Sequence, residues 1–289
     1  MTVGAFRSAE GAEAVRRLYR KVLDDWPVPA SELRLPTRQG ETFVLAFGRE
    51  DGPPIVLLHG AQANVAAWLL DAMPWAERFR LYAIDMIGEA GFSAPARPPL
   101  ASEAYALWLD DVMSGLGLSR AAIVGVSLGG WLALDYASRR PGFVERLALI
   151  CPAGIGRQKN FLLRAAPFLL LGSWGKRRMR ELVLGPQVSE PPEALKPVIA
   201  LMEAIGRSIR LRLGTIPRLS DAELARLKMP ILAIMGGQDV LIDSDDTCRR
   251  LQEFAPHAEI SFLPDARHFI PGQSEPVLRF LADEQARHG

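Results

Sequence analysis

The apolar positions of this chain follow two rhythms. Residues 54–58 and 80–84 are short, almost uninterrupted apolar runs. They are too short for helices and apolar on both faces, as strands are when helices cover a parallel sheet from both sides. Runs at 121–124, 144–151, 230–235 and 258–263 continue the series. Between them the spacing becomes helical, at 64–70, 101–116, 128–139, 243–254 and 273–287. Strands alternating with helices in this way predict an α/β fold built on a mostly parallel sheet. Ahead of the series, 32–36 and 42–47 flank Thr37-Arg38-Gln39-Gly40 and read as an antiparallel hairpin at a sheet edge.

The chain opens on an amphipathic helix, with Val15, Leu18, Tyr19, Val22, Leu23 and Trp26 at helical spacing before Pro27 stops it. Arg7, Glu10, Glu13, Arg16 and Arg17 break any run of signal-peptide type, so this helix is expected to pack on the main domain. After the strand at 144–151 the alternation fails. Residues 153–225 offer no strand; 161–171 is an apolar helical run interrupted by Pro167, and 193–213 is a longer one carrying Val198, Leu201, Met202, Ile205 and Ile209. Pro186, Pro191 and Pro192 separate them. The expected organisation is an N-terminal helix over 1–30, a core domain made of 31–152 and 226–289, and a helical cap inserted at 153–225.

Composition narrows the function classes. Of 289 residues, 49% are hydrophobic and 23% charged, which suits a folded globular chain. The net charge of +1 gives no pull toward nucleic acid. No run is long enough to span a bilayer, so no stable membrane insertion is expected. The two cysteines, Cys151 and Cys248, lack metal-ligand spacing and read as reduced thiols of a cytoplasmic protein. Within the insertion, Arg157, Lys159, Arg164, Lys176, Arg177, Arg178 and Arg180 form a basic run. It reads as a solvated face, with an acidic substrate or a membrane surface as the alternative. The apolar run at 161–171 is expected either to line an acyl pocket or to pack the insertion onto the core.

The candidate chemistry sits where strands end, since an open α/β sheet binds ligands beyond its carboxyl edge. Gly125-Val126-Ser127-Leu128-Gly129 places a serine at an abrupt strand-to-helix corner. Glycines on either side remove the side chains that would collide there, and the helix start points N–H groups at the hydroxyl. Such a serine is a nucleophile only if an imidazole takes its proton and a carboxylate orients that imidazole. Of the four histidines, His257 precedes a strand, His288 lies in the tail, and His59 beside Gly60 reads as a structural hydrogen-bonding residue. His268 remains as the base. Asp239, directly after a strand, is the expected acid; Asp243 and Asp245 are alternatives, Asp265 reads as a turn residue and Asp85 as structural. Leu128 and Ala61 are placed to donate their backbone N–H groups to an oxyanion, with Gln62 beside them as a further polar group.

The order Ser127, Asp239, His268, with His59-Gly60 upstream and an insertion after the strand ending at Cys151, resembles the α/β-hydrolase superfamily from about residue 32 onward. Within it the chain is similar to capped carboxylesterase-like members. The resemblance implies a sheet of about eight strands, an acyl-serine intermediate on a small or medium-sized apolar ester, and no cofactor. Two positions depart from the family pattern: Arg267 precedes the histidine where glycine is frequent, and the loop after Asp85 runs Ile87-Gly88-Glu89-Ala90-Gly91-Phe92-Ser93. Both bear on substrate geometry more than on the reacting groups. The same three residues also serve carbon–carbon bond hydrolysis, amide hydrolysis and acyl transfer, and a hydrolase-fold binding protein would keep the fold without the reaction.

Overall fold

Eight strands form one sheet: β1 (Ala30–Thr37), β2 (Gly40–Gly48), β3 (Pro54–Leu58), β4 (Arg80–Ile84), β5 (Ala121–Val126), β6 (Val144–Ile150), β7 (Ile231–Gly236) and β8 (Glu259–Leu263). Their order across the sheet is β1-β2-β4-β3-β5-β6-β7-β8. The hairpin β1–β2 is antiparallel and β2 runs antiparallel to β4, while every pair from β4 to β8 is parallel. The helices are α1 (Ala9–Asp24), α2 (Leu69–Ala76), α3 (Ala104–Gly115), α4 (Leu128–Arg139), α5 (Gly172–Leu184), α6 (Lys196–Ser208), α7 (Asp221–Ala225), α8 (Ser244–Phe254) and α9 (Ser274–Ala282). The structure, a computed structural model, describes residues 5–160, 168, 171–185, 193–212 and 214–283.

The double-sided apolar character of the strands accounts for the layers. Successive side chains of a strand face opposite ways, so Ile55 and Leu57 of β3 join a core with Val15 and Tyr19 of α1, Trp75 of α2, Leu201 and Ile205 of α6, and Val277 and Phe280 of α9. Val56 and Leu58 join the other core, with Trp108 of α3, Leu132 of α4, Leu224 of α7 and Leu251 of α8. Both faces of the central strands β3, β5, β6 and β7 are thereby largely closed to water, while the edge strands β1 and β8 stay partly exposed.

The N-terminal helix packs on the main domain as expected and also reaches further. Ser8 caps α1 by accepting the Gly11 N–H. The Tyr19 hydroxyl donates to Asp85 at the end of β4. Just before the helix, Phe6 bridges Ile209, with Arg7 N–H donating to Ser208 O and Arg210 N–H donating to Ala5 O. The N-terminal segment therefore grips both the core and the 193–212 stretch.

Several expected elements differ in extent. The helix expected at 64–70 opens as a single 3-10 turn, Val65–Trp68, capped by Asn64, and α2 then runs on through Pro74 to Ala76. Pro74 has no N–H to give to the carbonyl four residues earlier, so α2 continues there without that bond. The helix expected at 193–213 is α-helical only over α6, since Ile209 already has an extended backbone where it pairs with Phe6. Helix α5 was not foreseen. Its Trp174, Arg177, Arg178 and Arg180 are exposed, so no apolar stripe announces it. The runs at 161–167 and 169–170, the prolines at 186, 191 and 192, and the last residues of the 273–287 helix lie outside the described residues.

Candidate active site

The strand order reverses direction at β3: the chain steps from β3 outward to β4 and then returns to the other side of β3 for β5. That reversal opens a crevice at the carboxyl ends of β3 and β5. His59, Gly60 and Ala61 leave β3 there, and Ser127 leaves β5. A Cβ placed on Gly60 would lie 3.7 Å from Ser127 Cβ, so the two loops run side by side.

Ser127 occupies a backbone conformation that a side chain rarely adopts, φ 51° and ψ −107°. Its N–H donates to Ile150 O of β6 and its carbonyl accepts from Trp131 and Ala153. These bonds hold the strained corner in place. The glycines at 125 and 129 are required by close approach: a Cβ on Gly125 would sit 2.6 Å from Gly129 O, and one on Gly129 would sit 2.1 Å from Leu58 O. Leu128 is the first residue of α4, where a backbone N–H has no acceptor within its own helix.

Three side chains from distant loops meet at this corner. Ser127 Oγ donates to His268 Nε2 at 2.9 Å, and His268 Nδ1 donates to Asp239 Oδ2 at 2.7 Å. The other carboxylate oxygen, Oδ1, accepts the N–H groups of Leu241 at 2.7 Å and Ile242 at 3.0 Å. The Asp239 side chain is 1% exposed and that of His268 12%. A buried carboxylate held by two amides presents its remaining oxygen in a fixed direction, which selects the imidazole tautomer with Nδ1 protonated and leaves Nε2 to accept from serine. The structure thus brings together Ser127, His268 and Asp239, with Leu128 and Ala61 on the adjoining turns.

Cys151, which follows β6, reads from the sequence only as a reduced thiol. It stands beside this group, with its sulfur, a carboxylate oxygen of Asp239 and a ring nitrogen of His268 within 4.8 Å of one another. Burial first, and the Asp239 carboxylate second, push its pKa up to about 12, so it stays protonated at neutral pH. These groups are already committed: both Asp239 oxygens accept hydrogen bonds and the imidazole is engaged at both nitrogens. The trio therefore behaves as a hydrogen-bonded set and not as an open set of metal ligands.

The remaining candidates take structural positions. Asp243 caps α8 by accepting the Asp246 N–H, Asp245 is exposed, and Asp265 is exposed in a turn. His257 Nε2 donates to Met229 O at the amino-terminal ends of β7 and β8, while His288 lies outside the described residues. His59 is fully buried, donating from Nδ1 to Gly60 O and accepting at Nε2 the N–H of Met86. Burial lowers its pKa to about 4, against the smaller raising effect of the Gly60 carbonyl. Asp85 accepts from Val65, Phe92 and Tyr19, and burial raises it to about 6.

The 153–225 stretch touches the loops of this site at several points. Arg267 Nη1 donates to Glu181 O at 2.9 Å and Leu182 O at 3.2 Å, and Phe269 N–H donates to Val183 O at 3.3 Å. The two neighbours of His268 therefore satisfy the last carbonyls of α5, where a guanidinium also meets the negative end of the helix dipole. Lys159 Nζ donates to Asp239 O at 2.7 Å. Of the basic run, Arg157, Arg177, Arg178 and Arg180 all pair with acids, as a solvated face does; Arg164 and the Lys176 side chain lie outside the described residues.

A sheet with this reversal, carrying a strained serine corner at its switch point, defines a hydrolase of the α/β type, and the alpha/beta hydrolase family model matches residues 55–282. The chain belongs to that family and is carboxylesterase-like within it. It is 29% identical over 274 residues to the uncharacterized carboxylesterase nap of Bacillus subtilis, covering 92% of this chain and 91% of that protein. The crystal structure of carboxylesterase CesB (YbfK) from Bacillus subtilis superposes with a TM-score of 0.79 at 26% identity, over 95% of this chain and 99% of that one. The structure of naproxen esterase (carboxylesterase NP) from Bacillus subtilis gives a TM-score of 0.78 at 26% identity, over 96% and 95%.

Proposed function

We propose that the protein is a serine hydrolase that cleaves a carboxylic ester of a small or medium-sized apolar substrate, with Ser127 as nucleophile, His268 as general base and Asp239 as orienting acid. The observation that carries this reading is the unbroken chain of hydrogen bonds from Ser127 Oγ through His268 to a buried, amide-anchored Asp239. As Oγ bonds to the ester carbon, its proton passes to Nε2 and the carbonyl oxygen becomes an oxyanion. The N–H groups of Leu128 and Ala61 receive that charge. Collapse expels the alcohol, which takes the proton from Nε2, and a water repeats the sequence to release the acid. The carboxylesterase relatives support an ester as the substrate.

The 153–225 stretch is the lid over this site in this reading. Among the described residues no helix is long and apolar enough to cross a membrane, and Cys151 and Cys248 are both free thiols. The free thiols are in keeping with a reducing compartment, and we read the enzyme as cytoplasmic.

Burst kinetics with nitrophenyl esters of increasing acyl length, on wild type and Ser127→Ala together, test the proposal. A stoichiometric burst in wild type alone is expected, with the best chain length sizing the acyl pocket. Turnover retained by Ser127→Ala would overturn the assignment, and cleavage of a carbon–carbon bond but no ester would move it to that chemistry.

A further inference from the structure

The loop that carries Ala61 has a second anchor besides β3. Gln62, its next residue, has a positive φ of 57° although it is not glycine, a conformation that persists only when its surroundings hold it. What holds it is Glu89: the Gln62 N–H donates to Glu89 Oε2 at 2.8 Å. The Glu89 side chain is only 2% exposed. Its other oxygen, Oε1, accepts from Arg212 Nη2 at 3.2 Å, and the same nitrogen donates to the Tyr105 hydroxyl at 2.9 Å. The turn ahead of Glu89 is stitched to the same segment, with Arg97 donating from Nε to Gly88 O and from Nη1 to Arg210 O.

A carboxylate is costly to bury unless it is paired and hydrogen-bonded. Here the two oxygens divide the work. One faces a guanidinium that balances its charge; the other fixes an amide one residue from Ala61. Resting on the serine-esterase reading, we propose that Glu89 is a positioning residue for the oxyanion hole, aiming the Ala61 N–H through the Gln62 turn, and that Arg212 of the 153–225 stretch is the counterion that lets a carboxylate do so. An oxyanion donor must lie close to where the charge develops, and small misplacements are costly. His59 holds Gly60 before the turn and Asn64 and Val65 are held after it, while Glu89 takes the amide at the turn itself.

Two double variants isolate the amide bond from the ion pair. Glu89→Gln/Arg212→Met removes both charges yet keeps a carbonyl oxygen for the Gln62 N–H; Glu89→Ala/Arg212→Met removes the acceptor as well. Neither leaves a charge buried alone. Each is measured for kcat and KM on a nitrophenyl ester and for the affinity of a trifluoromethyl ketone, whose serine adduct is itself an oxyanion. The glutamine form is expected to keep kcat within about threefold, while the alanine form loses roughly ten- to a hundredfold in kcat with KM within about twofold. Ketone affinity should fall by the same factor as kcat. Wild-type kcat and ketone affinity in the alanine form would overturn the proposal, as would a rise in KM alone or an equal loss in the glutamine form. A wild-type enzyme that forms no ketone adduct overturns the underlying esterase reading as well, which separates the two failures.

Discussion

His59 and Asp85 show how much of this site is held by single buried groups. They close β3 and β4, and burial moves each toward its neutral form, His59 down to about 4 and Asp85 up to about 6. The unfolded imidazole takes up its proton near 6.5, so between about 4 and 6.5 the unfolded chain binds more protons at this residue than the folded one. Its contribution to stability is therefore complete above that window and is lost as pH falls through it. His59→Gln keeps an acceptor for the Met86 N–H and a donor for Gly60 O but does not titrate. The stability gap between wild type and this variant is expected to narrow by about 3 kcal/mol from pH 6.5 to 4. Asp85 acts with the opposite sign, but in both proteins alike, and so drops out of the difference. Urea unfolding of the pair at the two pH values measures it, and a gap independent of pH would mean that the folded imidazole takes up its proton as the unfolded one does, with no shift from burial.

The element that fixes the geometry is the β5–α4 corner. Gly129→Ala would drive a methyl group into the carbonyls of Leu58 and His59, backbone atoms that cannot rotate away. A loss of about 1–3 kcal/mol in unfolding free energy is expected, together with a fall in esterase activity, because the displaced carbonyls lead directly into Ala61. An unchanged urea midpoint would show that the corner can open without cost. This corner was legible in the sequence because its signals are local. The apolar runs of β3 and β4 stop where they were expected to, and α4 spans the anticipated 128–139. What could not be read depends on partners remote in the chain. Glu89 meets Gln62 across 27 positions and Arg212 across 123, and no spacing rule links them. Asp239, favoured in the sequence by its place directly after a strand, and its alternative Asp243 part company at the turn that brings one to His268 and the other to the start of α8.

At the scale of the whole molecule, the N-terminal helix acts as a fastening. Tyr19 stacks on Phe92, with ring centroids 4.7 Å apart, and donates its hydroxyl to Asp85 at 2.9 Å. Tyr19→Phe keeps the stacking and removes one donor from a buried acceptor, which is expected to cost about 1–3 kcal/mol. Thermal melts of the full chain read this directly; no change in Tm would mean that the amides of Val65 and Phe92 satisfy Asp85 without help. The other fastening joins α5 to the residues around His268, through Arg267 and the Phe269 amide. Its consequence reaches beyond one molecule. The part of the chain assigned to choosing substrates and the loop assigned to moving the proton are not interchangeable modules. A 153–225 stretch transplanted from a relative would need a helix end that accepts the Arg267 guanidinium and the Phe269 amide. In a chimaera, two stretches far apart in sequence have to travel as one unit.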